Sequence, residues 1–280
     1  MDERAITASP LSMVSPALLD PAEPPPVEIC NPAGAAPVLL TCDHASRAIP
    51  RALKKLGLAD EVIARHIGWD IGAAMVTRHL APLLEAPALL AGYSRLVIDC
   101  NRPPEDPSSI PASSDGVAIP GNIDLPQEAR LARRQALFEP YHAAIDARLA
   151  ALRRASAAPA LISAHSFTPR MGGRARPWHV GVLWDEDGRI ALPLLAGLRA
   201  EAGLVVGDNE PYSAREPVGY TQRHHGREAG LPHVAIELRQ DLIADEIGAR
   251  DWAERLARLL RPILARRDLN VAIAPPAPHS

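Results

Sequence analysis

The chain has 280 residues, 47% hydrophobic and 22% charged, and its 30 Lys+Arg against 33 Asp+Glu leave a formal net charge of -3. That balance provides no basic field for nucleic acid or an anionic membrane surface, and no apolar run approaches the ~18 residues of a membrane span, so neither partner is expected. Three cysteines, odd in number and far apart, argue against a disulfide framework; with no basic, apolar leader at the N-terminus, the expectation is a cytoplasmic protein.

Residues 1–35 are rich in Pro, Ala and Ser without a sustained period and predict a flexible N-terminal arm. A single α/β domain is predicted over residues 36–268, with a disordered tail over 269–280. Its first strand is Pro37 to Cys42, followed by helical pattern from Arg51 to about His66 and a stronger helix from Asp70 or Ile71 to Leu84. Apolar runs at Ala88 to Ala91 and Leu96 to Ile98 read as strands. Pro103 to Pro126, dominated by Pro, Ser, Asp and Gly, reads as a long loop of the kind that forms lids.

Gln127 to Arg154 is the longest helical pattern, and Ala160 to His165 the next strand. Strands at His179 to Trp184, Leu204 to Val206 and His233 to Leu238 then alternate with helices at Ile190 to Glu201, Tyr220 to Ala229 and Asp241 to Leu264. This alternation predicts a three-layer fold, a mostly parallel or mixed central sheet with helices on both faces. No Gly-rich phosphate loop and no G-x-S-x-G elbow follows any strand, which argues against nucleotide-dependent and serine-hydrolase chemistry.

Two apolar runs end on histidine: P-V-L-L-T-C-D-H at His44 and A-L-I-S-A-H at His165. In an open α/β sheet the carboxyl ends of strands are where ligands bind, so the two histidines are expected to meet around a metal ion. Zinc in hydrolytic sites takes three protein ligands and leaves one position for water. The third ligand is open among Asp70 in G-W-D-I-G, Asp43 beside His44, and Glu237; for Asp70 the competing role is a helix N-cap.

Glu237 lies in the apolar strand V-A-I-E-L-R, where burial of a carboxylate is costly unless it is paired, near a metal or protonated. It is the candidate general base, and its competing role is a salt bridge to Arg239. Arg95, Arg102 and Arg239 are candidate clamps for a substrate carboxylate, with Asn101 beside Arg102. Ser46 and Ser166 are expected to orient ligands, His224 and His225 to sit on an exposed helix face, and Cys42 and Cys100 to be buried.

The motifs C-D-H-A-S-R-A-I-P, G-W-D-I-G-A, S-R-L-V-I-D-C-N-R-P, S-A-H-S-F-T-P, D-N-E-P-Y and I-E-L-R-Q-D-L-I, in this order, resemble the N-formylglutamate amidohydrolase family over about Pro37 to Leu264. That family is similar in turn to the zinc carboxypeptidase and aspartoacylase group. The resemblance implies a zinc-exopeptidase-like α/β fold with one zinc ion per chain, or another divalent metal, and an enzyme of histidine degradation that cleaves a linear amide. It implies His44 and His165 as ligands, Asn101 and Arg102 on the substrate carboxylate, and Glu237 as base.

The wider group carries a glutamate ligand three residues after the first histidine, where this chain has Arg47. The resemblance implies Asp70 as third ligand, because it lies in the family motif G-W-D-I-G-A, with Asp43 in reserve; Arg95 is the expected oxyanion stabiliser. The expected substrate is a small N-acyl, specifically N-formyl, acidic amino acid. The alternatives are another N-acyl amino acid or small peptide, or a non-catalytic dicarboxylate-binding protein.

Overall fold

The computed structural model describes residues 18–215 and 219–273. In chain order the strands are β1 (Val27–Cys30), β2 (Val38–Cys42), β3 (Ala88–Ala91), β4 (Ser113–Ser114), β5 (Val117–Ala118), β6 (Ala160–Phe167), β7 (Arg170–Met171), β8 (Arg174–Ala175), β9 (Val180–Leu183), β10 (Val206–Asp208) and β11 (His233–Arg239). The helices are α1 (Asp60–Ile63), α2 (Ala73–Leu83), α3 (Gln127–Arg133), α4 (Glu139–Leu152), α5 (Gly188–Arg199) and α6 (Glu246–Leu264). A wider helical turn at Arg134–Phe138 joins α3 to α4, and another occupies Gln222–Arg227.

Seven strands form one mixed sheet in the order β1-β3-β2-β6-β11-β9-β10. The pairs among β3, β2, β6 and β11 are parallel, whereas β1 on β3 and β9 on β11 are antiparallel. Strand alternation divides the apolar side chains between two layers. Val38, Leu40, Ile162, Val234, Ile236 and Leu238 pack with α2, α5 and α6, while Leu39, Leu89 and Leu161 pack with Tyr141, Ile145 and Leu149 of α4. Each such leucine or isoleucine, fully withdrawn from water, stabilises the fold by about 1.5–3 kcal/mol.

The same alternation places His233, Ala235 and Glu237 of β11 on the face opposite Val234, Ile236 and Leu238. Because β2, β6 and β11 run parallel, their carboxyl ends meet at one sheet edge. The register sets Glu237 directly beside His165.

Four expectations change. Val27–Cys30, within the segment expected to be a flexible arm, is the antiparallel edge strand β1; residues 1–17 lie outside the described residues. Leu96 to Ile98 is a buried turn, because its backbone is satisfied by side chains: Asn122 Nδ2 donates to the Leu96 carbonyl and Arg133 to the Val97 carbonyl.

The helix expected from Arg51 to His66 breaks at Lys54, Lys55 and Leu56, all at positive φ (46°, 56° and 57°), and the turn carries Leu56 into an apolar cluster with Leu96, Ile98 and Phe138. Of the tail expected over 269–280, Leu269 is buried in the core and the Ile273 amide donates to the Gly230 carbonyl; residues 274–280 lie outside the described residues.

Candidate active site

The carboxyl ends of β2 and β6 deliver His44 and His165, whose rings lie edge to face with centroids 5.2 Å apart. Asp70 comes from the turn before α2, which is held by its own amide donating to the His44 carbonyl, 2.9 Å. Gly72 makes that turn possible: its φ is 84°, and a β-carbon there would come within 2.1 Å of the Ile243 carbonyl oxygen. The Asp70 side chain does not cap α2, whose N-cap is Gly72.

Asp70 Oδ2 instead lies 2.9 Å from His165 Nδ1 and 3.3 Å from His44 Nδ1, and receives the Ser166 amide at 3.3 Å. One ligand atom from each of His44, Asp70 and His165 falls within 4.8 Å of the others, and all three residues are buried. This trio could hold a metal ion. The far nitrogen of each ring meets a further carboxylate: His44 Nε2 is 2.7 Å from Asp99 Oδ1, and His165 Nε2 is 3.2 Å from Asp43 Oδ2. Asp43 is held in turn by hydroxyl donation from Tyr141 (2.9 Å) and Thr221 (2.8 Å). Such outer carboxylates set the tautomer and aim the opposite nitrogen inward.

Burial opposes ionisation of Asp43, Asp70 and Asp99, yet all three lie below the ordinary carboxylate range. For Asp43 and Asp70 the compensation comes from the two histidines, and for Asp99 first from Arg95. Burial likewise opposes protonation of His44 and His165, but the surrounding carboxylates hold both imidazoles above their ordinary value. Arg95 balances one of the three buried negative charges. The remaining two match two imidazolium rings or, with both rings neutral, one divalent cation, so the donor set fits a divalent metal.

Glu237, 7% exposed, has an Oε2 atom without a hydrogen-bond partner among the described residues. Its carboxyl is pushed up to about 7 by burial, with the Asp70 charge adding to the rise. It does not pair with Arg239. That guanidinium sits at the strand end, donates to both oxygens of Asp241 (2.8 and 3.2 Å), and is not among the residues lining the cavity, so Arg239 is removed from the substrate-binding candidates.

Arg95 lines the cavity but turns one terminal nitrogen to Asp99 (2.7 Å) and the other to Asp70 (3.4 Å), so it grips carboxylates rather than facing the cavity as a free donor. Arg102 lines the cavity with its Nε 3.8 Å from Asp99. Asn101 also lines it, and its Oδ1 accepts the Thr221 amide. Ser46 accepts the Ala48 amide and serves its own turn. His225 is buried against His142 (2.8 Å), not on an exposed face, whereas His224 is exposed. Cys42 and Cys100 are buried.

The cavity over this centre measures about 1010 Å³. Sequence reasoning did not single out Asp99 as the partner of His44, nor Tyr212 and Gln222 as cavity residues; the apolar run ending in D-C-N-R-P carried a signal for the first and the D-N-E-P-Y motif one for Tyr212.

A model of the N-formylglutamate amidohydrolase family matches residues 36–244. The chain belongs to this family. As a member it is an amide-cleaving hydrolase. The chain is 27% identical over 259 residues to an N-formylglutamate deformylase of Pseudomonas putida, covering 82% of this chain and 90% of that one. Among solved structures, gene product Atu2144 from Agrobacterium tumefaciens superposes with a TM-score of 0.84 at 40% identity, over 89% of this chain and 98% of that one. An N-formylglutamate amidohydrolase from Ralstonia eutropha JMP134 shares the fold, with a TM-score of 0.60 at 19% identity over 85% and 97% of the two chains. No helix among the described residues is long and apolar enough to cross a membrane.

Proposed function

We propose that this chain is a zinc-dependent amidohydrolase that removes the N-formyl group of an acidic amino acid such as N-formylglutamate. One observation carries the reading: Nδ1 of His44 and Nδ1 of His165 converge on Asp70 Oδ2 in a cavity lined also by Glu237, whose Oε2 has no hydrogen-bond partner among the described residues, and by Asn101 and Arg102. Zinc held by His44, His165 and Asp70 would supply a Lewis acid that polarises the amide carbonyl and acidifies water.

Arg102, with Asn101, binds the substrate carboxylate through its planar donor fork. Glu237 takes the proton of the attacking water at its free oxygen and returns it to the leaving nitrogen as the C–N bond breaks. The buried setting of Glu237 favours this cycle, because desolvation raises the proton affinity of a carboxylate. Arg95 keeps Asp99 and Asp70 in place. Asp99 and Asp43 hold the two rings so that each presents Nδ1 to the same point.

Metal analysis of the purified protein, joined to an assay of N-formylglutamate hydrolysis before and after chelation, tests this. Stoichiometric zinc and chelator-sensitive release of formate are expected. Full activity after complete metal removal would overturn it.

A further inference from the structure

Both terminal nitrogens of Arg95 are held by Asp99 and Asp70, so charge developing on the amide oxygen needs a donor from elsewhere in the cavity. The sheet row that contains Glu237 leads to one. Glu237 on β11 is paired with Gly181 on β9, and Gly181 with Gly207 on β10. Directly paired residues share a face, so the two glycines leave a shallow floor beside the Glu237 carboxyl.

The chain after β10 lies on that floor. A β-carbon on Gly181 would come within 1.9 Å of the Glu210 carbonyl oxygen, and one on Gly207 within 2.5 Å. The Glu210 backbone therefore rests on the same face as the Glu237 carboxyl, on the neighbouring strands, and Tyr212 follows two residues later. Asn209, in the left-handed region at φ 54°, fixes this loop. Its amide donates to the Val182 carbonyl (3.0 Å), and its Oδ1 accepts the amides of Trp184 and Ala214 (3.1 Å each).

The Tyr212 hydroxyl is anchored from the opposite direction. One terminal nitrogen of Arg176 donates to it (3.1 Å), and the guanidinium carbon lies 4.9 Å from the ring centroid. The Arg176 amide donates in turn to the Pro169 carbonyl (2.9 Å), just past the end of β6. In the sheet β11 lies between β6 and β9. A ring whose backbone sits over β9 and whose hydroxyl is partnered from the end of β6 is directed across the end of β11, where Glu237 stands. Tyr212 lines the same cavity as Glu237, His44, Asp70 and His165.

A phenolic hydroxyl both accepts and donates. Arg176 occupies a lone pair of the oxygen, and no acceptor for the Tyr212 proton is present among the described residues. Desolvation holds the phenol above its ordinary value, with the Glu237 charge adding to the rise, so the proton stays on the oxygen at neutral pH. The guanidinium behind it polarises the O–H and strengthens it as a donor.

Resting on the amidohydrolase reading, we infer that Tyr212 is a catalytic residue: its hydroxyl donates to the amide carbonyl oxygen of the substrate and holds that oxygen as it becomes an oxyanion, with Arg176 as the positioning residue behind it. Water adds to the formyl carbon and the C=O electron pair moves onto the oxygen that Tyr212 holds. The pair returns as the C–N bond breaks, the nitrogen gains the proton that came from water, and the phenol gives up none. A donor aimed at charge that develops only in the transition state acts on kcat rather than on KM.

Tyr212→Phe removes only the hydroxyl. On N-formylglutamate its kcat is expected to fall about 10²–10³-fold, with KM within about threefold of the parent and zinc stoichiometry unchanged. Arg176→Met, which leaves the phenol in place, is expected to show a smaller loss confined to kcat, and no further loss in the Tyr212→Phe background; alone it carries the test if Tyr212→Phe does not fold. Calorimetric titration gives a readout apart from turnover. For 2-(phosphonomethyl)pentanedioate, whose tetrahedral phosphonate stands in place of the hydrated formyl carbon, Tyr212→Phe is expected to weaken binding to the metal-loaded enzyme at least about tenfold, while the product glutamate binds within about threefold. A kcat within about threefold of the parent, a raised KM at unchanged kcat, or equal weakening of phosphonate and glutamate would overturn the role of Tyr212 and leave the amidohydrolase reading intact. Hydrolysis of neither N-formylglutamate nor N-formylaspartate by the metal-loaded parent would overturn both.

Discussion

Asp99→Asn is the sharpest test of how the centre is organised. Asp99, 3% exposed, uses Oδ1 for His44 Nε2 (2.7 Å) and for the Asn101 amide (2.8 Å), and Oδ2 for Arg95 (2.7 Å). An asparagine cannot satisfy all three. If its amide nitrogen replaces Oδ2, it faces an Arg95 N–H; if it replaces Oδ1, it faces the Asn101 N–H. Either orientation sets a donor against a donor and removes one charge-assisted hydrogen bond, a loss of about 1.5–3 kcal/mol.

The consequence for the metal follows from the second ring nitrogen. With at best a neutral amide oxygen on Nε2 in place of a carboxylate, His44 is held less firmly in the tautomer that presents Nδ1 inward, and weakening of such a partner lowers metal affinity by about 10–100-fold. In free energy that is about 1.4–2.7 kcal/mol. Chelator-competition titration of zinc measures the affinity, and urea denaturation of the metal-free protein measures the stability. A variant that binds zinc within about twofold of the parent would refute the assignment of Asp99 as the partner that aims His44.

Glu237→Gln is expected to lower kcat by about 10²–10⁴ while leaving zinc stoichiometry unchanged; steady-state assays and metal analysis of both proteins check this. In the metal-free protein the raised His44 and His165 favour the folded state when protonated, so their stabilisation is complete below about pH 6.5 and is lost as pH rises through the higher folded values. Zinc affinity, which requires neutral rings, is expected to increase over the same interval, and thermal denaturation with and without zinc across that range shows whether the two curves diverge. Gly72→Ala is expected to destabilise by about 2 kcal/mol or more and to displace Asp70, because the added carbon meets the Ile243 carbonyl at 2.1 Å and φ is 84°; zinc binding and urea midpoint should fall together. Arg133→Met removes the donors that hold the Val97 and Gly121 carbonyls and Asn122 Oδ1, and should cost about 2–4 kcal/mol with faster proteolysis of residues 103–126.

The strands that carry the site were legible because each is a short apolar run closed by a polar residue, and burial on both faces leaves that pattern little freedom. His44, His165 and Glu237 stand out for the same reason, as ionisable groups at the ends of runs that otherwise exclude them. Leu96 to Ile98 has the same apolar signature but forms a turn, since Asn122 and Arg133, distant in the chain, satisfy its backbone instead of a neighbouring strand. Arg239 was misplaced because alternation alone puts it on the face of Glu237, whereas at the strand end the chain leaves the sheet and Asp241 captures it. Arg95 was expected to face substrate because sequence does not reveal which of several nearby carboxylates a long side chain will reach.

From sequence alone follow the alternating α/β order, the two histidines at strand ends and the costly glutamate, since these depend on local period and on the energetics of burial. Which carboxylate completes the trio is a different kind of fact. Asp70 rather than Asp43 lies between the two Nδ1 atoms because the turn at Gly72 folds it over the edge of β2, while Asp43 is drawn behind His165 by Tyr141 and Thr221. Those positions arise from contacts between residues tens of positions apart, so only the tertiary structure decides them.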